Sequence, residues 1–389
     1  MANDYVTRVL SAPGEVEPRE WNALLAEQEE PTPFMRHEYL RALHESKSAI
    51  ARTGWTPRFI TLWRGDEMHA ASAVYLKSHS YGEYVFDWAW ASAYEQHGLA
   101  YYPKAVVAVP FTPVPGSRLL ARDAHARRAL AKAVLEWSSA QELSSLHLLF
   151  VTDEEARACE EAGMMLRHNV QFHWMNGGWG SFDEFLASLA HDKRKKIRQE
   201  RRKVHDAGVT FRWARGDDIG EEEWNFFCRC YERTYLEHGN APYLTRDFFR
   251  RIAKEMPQMW LLFIAQRNGK PIASSLVALE ERAGAKIAYG RYWGALERVD
   301  CLHFEACYYQ PLQWCIEHGF ARFEGGAQGE HKMARALMPV KTTSAHWLAH
   351  PAFADAVDKF LQREGRGIDN YMEHLEERSP FRQSPGEHG

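Results

Sequence analysis

The chain has 389 residues, more than one hydrophobic core usually serves, and its composition (45% hydrophobic, 26% charged, 13% aromatic, with 14 Trp) predicts a folded protein of two domains. Its 48 basic and 52 acidic side chains leave a net charge of −4, which excludes a generic polyanion binder, so any anion site must be local. The six cysteines include no C-x-x-C pair, and no P-loop, H-E-x-x-H, G-x-S-x-G or EF-hand spacing occurs; ATPase, zinc-protease, serine-hydrolase and calcium-binding classes have no support.

In chain order, period-2 patterns predict strands at 58–64, 69–77 and 104–110, a helix at 125–140 and a strand at 146–151. A helical piece at 153–163 and a strand at 169–174 follow. Residues 78–103 interrupt this series with an insertion dense in aromatic rings. From 259 onward the same order returns: strands at 259–266, 271–279 and 285–293, and a helix at 304–319 closed by Gly319, whose missing side chain suits a left-handed helix stop. A short strand (321–326), a helical piece (330–337) and a strand (342–348) complete it. Direct comparison supports a duplication. Residues 64–76 align on 267–279 at a shift of 203, and 150–174 align without gaps on 323–347 at a shift of 173, both windows of this second match ending in His-Trp, at His173-Trp174 and His346-Trp347. The expected class is α/β (α+β): two tandem domains, each a mixed, mostly antiparallel sheet flanked by helices. The expected division is 1–178, a basic helical connector at 179–207, 208–377, and a polar, proline-containing tail at 378–389 expected to be disordered.

The doubled unit, the basic segment between the copies, and the hairpins FITLWRGDEMHAASAVYLK and LLFIAQRNGKPIASSLVAL resemble the Fem-type branch of the GNAT acyltransferase superfamily. The stretch YLKSHSYGEYVFDWAWASAYEQHGLAYYPK, followed by VPFTPVPGSRLL, is similar to a bacterial Fem-like, peptidoglycan-related family, over roughly 33–347. That resemblance implies an N-acyltransferase with tandem GNAT-like domains, using acyl-CoA or aminoacyl-tRNA as donor co-substrate and no metal. The acceptor it implies is a small-molecule or peptide amine, with tRNA as a possible partner. One departure bears on the donor. The resemblance would place a glycine-rich pyrophosphate loop at WGALERVDCLHFE, where Gly294 is the only glycine, and at VPFTPVPGSRLL, where prolines supply no N–H. This raises aminoacyl-tRNA as the donor over acetyl-CoA. A catalytically inactive ligand-binding module of the same fold is the alternative. No leader-like apolar stretch and no run of about 18 apolar residues is seen, so a cytoplasmic location is expected.

The candidate residues are picked out by their chemistry. Eight of the eleven residues 193–203 are Lys or Arg and only Glu200 opposes them; Leu189, Ile197 and Val204 predict one apolar helix face. Lys193, Arg194, Lys196, Arg198 and Arg202 are then either a solvated face or a polyanion dock. Amide-forming transfer needs a base for the incoming amine. Glu324 at a strand end, His331 nearby and Asp87 in the insertion are the candidates, and Glu324 could instead pair with Arg322 or Arg335. Gly325 and Gly326 allow close backbone approach, with Lys332 beside them. Arg291, Tyr292 and Trp293 could clamp an anion and stack on a ring, or Arg291 could pair with Glu305; His303 and Tyr308 read as packing residues. In and around the insertion, Lys77, His79, Tyr84, Trp88, Trp90, Tyr94 and Lys104 either wall a pocket or plug a core.

Overall fold

The structure is a computed structural model and describes residues 5–282, 284–326 and 329–382. Two compact units are interleaved along the chain. The first comprises Met1–Asn169, Tyr243–Phe248 and Lys341–Asn370; the second comprises Val170–Pro242, Phe249–Val340 and Tyr371–Gly389.

The duplication is visible as matched elements. Strands Glu67–Lys77 and Lys270–Arg282 begin 203 residues apart, and the 11-residue strands Met165–Met175 and Met338–Leu348 correspond end to end at a shift of 173. Turn chemistry sets the hairpins: Gly65 (φ +61°) joins Trp55–Arg64 to Glu67–Lys77, while Asn268 (φ +52°) and Gly269 (φ +73°) join Trp260–Arg267 to Lys270–Arg282. Positive φ at both central residues, as at Asn268-Gly269, is the type I′ pattern, and a glycine with positive φ at the first, as at Gly65, is the type II′ pattern; both match the twist of the flanking strands.

In the first unit the strands run Val6–Leu10, Trp55–Arg64, Glu67–Lys77, Lys104–Val107 and Ser145–Val151, then the outer part of Met338–Leu348. In the second they run Val209–Arg215, Trp260–Arg267, Lys270–Arg282, Ala285–Ala295 and Arg322–Glu324, then the end of Met165–Met175. In each unit the third-from-last and penultimate strands pair in parallel, and each unit receives its last strand from the other half of the sequence. Residues 173–175 register with Arg322–Glu324, and 343–348 register with Ser145–Val151. Sequence order alone keeps each His-Trp strand with its own copy; the structure places 341–348, and the helix residues that follow to 370, in the first unit.

Capping explains the helix boundaries. Asp123 accepts the Ala126 amide at 2.7 Å to start Ala124–Ala140, and Thr152 with Glu155 forms a reciprocal capping box on Asp153–Glu161. The helix expected at 304–319 has three parts: Leu302–Phe304, a π turn at Glu305–Tyr309, and Gln310–Glu317, with Gly319 at φ +68°. The widening precedes Pro311, whose missing N–H would have bonded the Cys307 carbonyl in a regular α-helix.

Two expectations are corrected. Leu189 is buried, but it ends helix Phe182–Ser188; the basic helix is His191–Asp206, and its buried face is Ile197, Glu200 and Val204. Pro380 and Phe381 are packed, contrary to the expected disordered tail: Phe381 stacks on Trp179 at 6.0 Å, and the Pro380 carbonyl accepts the Ala190 amide at 2.9 Å. Residues 383–389 lie outside the described residues. Among the described residues no helix is long and apolar enough to cross a membrane.

Candidate active site

In the second unit, Ala285–Ala295 and Arg322–Glu324 pair in parallel only at Ile287, Ala288 and Tyr289. Beyond that point the longer strand continues for six residues while the shorter turns away at Gly325 and Gly326, so the two chains splay. The two glycines serve different needs: a side chain on Gly325 would meet Leu337 at 2.5 Å, whereas Gly326 takes a left-handed φ of +90°. Lys332, 3% exposed, lies along this pair and donates from Nζ to the Gly326 carbonyl at 2.8 Å. Burial lowers its pKa to about 8, an effect the nearby Cys307 thiol only partly opposes.

A row of rings forms one wall. Trp293 meets His303 at 5.4 Å, His303 meets Tyr308 at 5.8 Å, and Tyr308 meets His331 at 6.2 Å, with Phe304 also 6.2 Å from His331. His331 is exposed. Partial burial, then the charges of Arg335 and Lys332, hold its pKa below the ordinary imidazole value, so at neutral pH it is uncharged and carries a free lone pair. Burial and the same cationic neighbourhood lower His303 to about 4. A neutral imidazole, an ammonium and two glycines thus share one segment at the mouth of a strand splay. That set can accept a proton, stabilise a developing oxyanion and admit a carbonyl close to backbone.

The structure groups Trp293, Gly325, Gly326, His331 and Lys332 of the sequence-predicted residues, and adds His303, Phe304, Tyr308 and Arg335. His303 and Tyr308 read as packing in sequence, because nothing in the local pattern tells a core ring from a cleft ring. Glu324 stands apart: it is 4% exposed, pairs with Arg322 at 3.1 Å, and has His173 at 3.8 Å, so the expected ion pair is present and access to an amine is blocked. Arg335 pairs elsewhere. Arg291 sits at a register break, its guanidinium 5.0 Å from the Tyr292 ring, and Glu305 is taken by Arg201 at 3.0 Å. Tyr292 faces away from Trp293 and packs against Tyr231 (5.4 Å) and Phe249 (5.8 Å).

In the first unit, the insertion carries helix Trp88–Gln96, which buries Trp90 and Tyr94, and it turns Ser80, Glu83, Val85, Asp87 and Tyr101 inward as well. Lys104 donates to Glu83 and Ser80, each at 2.8 Å, and to Asp87; Tyr101 donates to Asp87 at 2.7 Å and meets His147 at 3.1 Å. His147 in turn bonds His346 through Nδ1 at 2.8 Å. Lys77 is fully buried, stacks 3.6 Å over Trp55, and lies 3.9 Å from Glu83. Burial dominates both of these groups, taking Lys77 down to about 7 and Glu83 up to about 7. For Asp87 the upward push of burial is outweighed by Lys104 and His147, which hold it below the usual carboxylate range. Asp87 is therefore a locked counter-ion, which corrects its reading as a base. Trp90 and Tyr94 pack with Leu348, Val357 and Leu361, which corrects their reading as a pocket wall. His79 is half-buried under Gly54 and Tyr84 adopts φ +63°; among the candidates here Trp88 is the exposed ring, with Tyr81 5.0 Å from it.

The equivalent splay in the first unit is filled. Arg118, 1% exposed, donates to the carbonyls of Leu149 (3.1 Å), Gly116 (3.1 Å) and Val114 (2.5 Å). Glu155 accepts the amides of Arg118 (2.6 Å) and Leu119 (2.5 Å). The basic helix leaves Lys196, Arg198 and Arg202 exposed and Lys193 and Arg194 half-buried. A separate cavity of about 430 Å³ lies among Arg212, Glu222, Glu223, Arg229 and Leu296, and contains none of the predicted site residues. No His/Cys/Asp/Glu group able to hold a metal occurs among the described residues.

A family model described as FemAB-like, peptidoglycan biosynthesis/recognition, matches residues 13–383. A search of curated proteins gives no match. Solved structures with the same fold include FemX, at 11% identity and TM-score 0.53, covering 90% of this chain and 100% of that one. L-PGS from Bacillus licheniformis aligns at 12% and 0.53, over 89% and 97%. The C-terminal domain of a putative lysylphosphatidylglycerol synthetase from Agrobacterium fabrum aligns at 10% and 0.54, over 90% and 97%. At these identities the likeness is one of fold.

Proposed function

The chain belongs to the FemAB-like family of acyltransferases, and we propose that it moves an aminoacyl group from aminoacyl-tRNA to an amine of a cell-envelope precursor, at the splay of the second unit. The observation that carries this reading is the juxtaposition of neutral His331 with the Lys332 ammonium beside Gly325 and Gly326. In the reaction the acceptor nitrogen attacks the ester carbonyl and a C–N bond forms. The carbonyl oxygen takes up negative charge facing Lys332, and His331 receives the amine proton. The C–O bond to the ribose then breaks, and the imidazolium returns its proton to the leaving oxygen. Most of the acceleration comes from holding amine and carbonyl together, with the ammonium adding charge stabilisation.

Aminoacyl-tRNA is favoured over an acyl-CoA by the exposed Lys196, Arg198 and Arg202 on the basic helix, and by the lack of a glycine-rich loop after Ala285–Ala295. The peptidoglycan-related family, together with a structural relative described as a putative lysylphosphatidylglycerol synthetase, supports aminoacyl transfer in wall or lipid synthesis. The test is to titrate acetyl-CoA, a long acyl-CoA and aminoacyl-tRNA against the purified chain, and to follow transfer of labelled amino acid to amine acceptors with wild type and His331→Ala. Transfer from aminoacyl-tRNA that falls at least about 100-fold in His331→Ala is expected. Transfer from acyl-CoA alone, or full turnover by His331→Ala, contradicts the proposal.

A further inference from the structure

The single acid in the basic run is not a surface counter-charge. Glu200 is 8% exposed, on the buried face of helix His191–Asp206 between Ile197 and Val204. Its Oε2 accepts from Arg335 Nη2 at 2.8 Å and from the Tyr309 hydroxyl. Arg335, 2% exposed, links this carboxylate to the cleft. Its guanidinium lies 3.6 Å from the centre of Phe304, and its Nη1 donates to the His331 carbonyl at 2.8 Å. Phe304 is itself one of the two rings flanking the His331 imidazole. A buried guanidinium is strongly unfavourable without a carboxylate, and Glu200 is the carboxylate that meets it. Arg335 thus reaches His331 twice, by the backbone bond and by the Phe304 ring.

We infer that Glu200 is a positioning residue for the candidate base: through Arg335 it sets His331, so the helix that presents the basic face also fixes the imidazole at the cleft. The inference rests on the reading of His331 as the base, but it is tested on the imidazole itself and needs no turnover. The titratable groups facing His331 are Glu330, Lys332 and Arg335 on its own segment, and His303, Cys307 and Tyr308 on the segment 302–317. Glu330 is engaged by Tyr371 and Arg378.

The experiment is an NMR titration of the His331 ring in the full-length chain, in four forms: wild type, Glu200→Gln, Arg335→Met and the double variant. Arg335→Met is expected to raise the midpoint, since it removes a cation. Glu200→Gln is expected to move it by more than about 0.3 pH units, and this movement is expected to vanish when Arg335 is already Met. An unchanged midpoint in a folded Glu200→Gln protein overturns the inference, and so does an equal movement in both backgrounds. If Glu200→Gln does not fold, Glu200→Asp, which keeps the charge and shortens its reach, is read by the same two criteria. Loss of transfer in His331→Ala with these midpoints unmoved separates failure of the positioning role from failure of the functional reading.

Discussion

Replacing Lys332 with Met separates stability from function. The ammonium is buried beside Gly326 with no carboxylate acting on it, and its pKa falls from 10.5 to about 8. At about 1.4 kcal/mol per pH unit, keeping that charge in the folded state costs about 3 kcal/mol. Because the folded pKa lies below the unfolded one, the cost is fully present below pH 8 and is relieved as pH rises from about 8 toward 10.5. Methionine fills similar volume without charge, and it forfeits one hydrogen bond, worth about 1 kcal/mol. Urea unfolding at pH 7 should therefore show the Lys332→Met protein more stable by about 1–2 kcal/mol, with the gap closing by about pH 10. Its transfer rate should fall by about 100- to 1,000-fold, as expected when a group facing the oxyanion is lost. A destabilised variant, or one whose stability gap does not change with pH, would refute the description of Lys332 as a buried, unpaired cation. A stabilised variant with full activity would refute only its role in the reaction.

Transfer should follow a bell in pH. The acid limb reports His331 at a midpoint below 6.5, and the alkaline limb reports Lys332 at about 8; rates measured from pH 5 to 9.5 check both. Arg198→Glu with Arg202→Glu leaves the fold intact, since both side chains are exposed, and weakens tRNA binding with a salt slope lower by about 2. Anisotropy titrations at two salt concentrations measure this. Lys104→Met leaves Glu83 and Asp87 buried without their shared cation and should cost about 3–5 kcal/mol in thermal unfolding, a loss of structure distinct from catalysis.

Much of the fold was legible because its signals are local. Alternation along 58–77 and 260–282, with Gly65 and Asn268-Gly269 between the strands, specifies two hairpins that the structure contains. The duplication was legible for the same reason. The exchange of last strands was not, since 165–175 and 338–348 both read as strands carrying a His-Trp step near their ends, and pairing across more than a hundred residues leaves no trace in periodicity. The site divides along the same line. Glycines 325 and 326 and the adjacent His331 and Lys332 stand out as a cluster in one dimension. The demotion of Asp87 and Glu324 depends on Lys104 and Arg322 being within ion-pair distance, and the roles of Glu200 and Arg335 depend on a contact 135 residues apart. In sequence, Glu200 is an oddity among lysines and arginines; only burial shows why an acid belongs there.

The central claim is that acyl transfer takes place at the splay of the second unit and not in the insertion of the first. The most direct measurement is a crystal structure with an RNA minihelix whose aminoacyl ester is replaced by a stable amide. The account predicts the aminoacyl carbonyl against Gly325, Gly326 and Lys332, within reach of His331. Density for that carbonyl beside Asp87, Lys104 and Trp88, with the second splay empty, would contradict it.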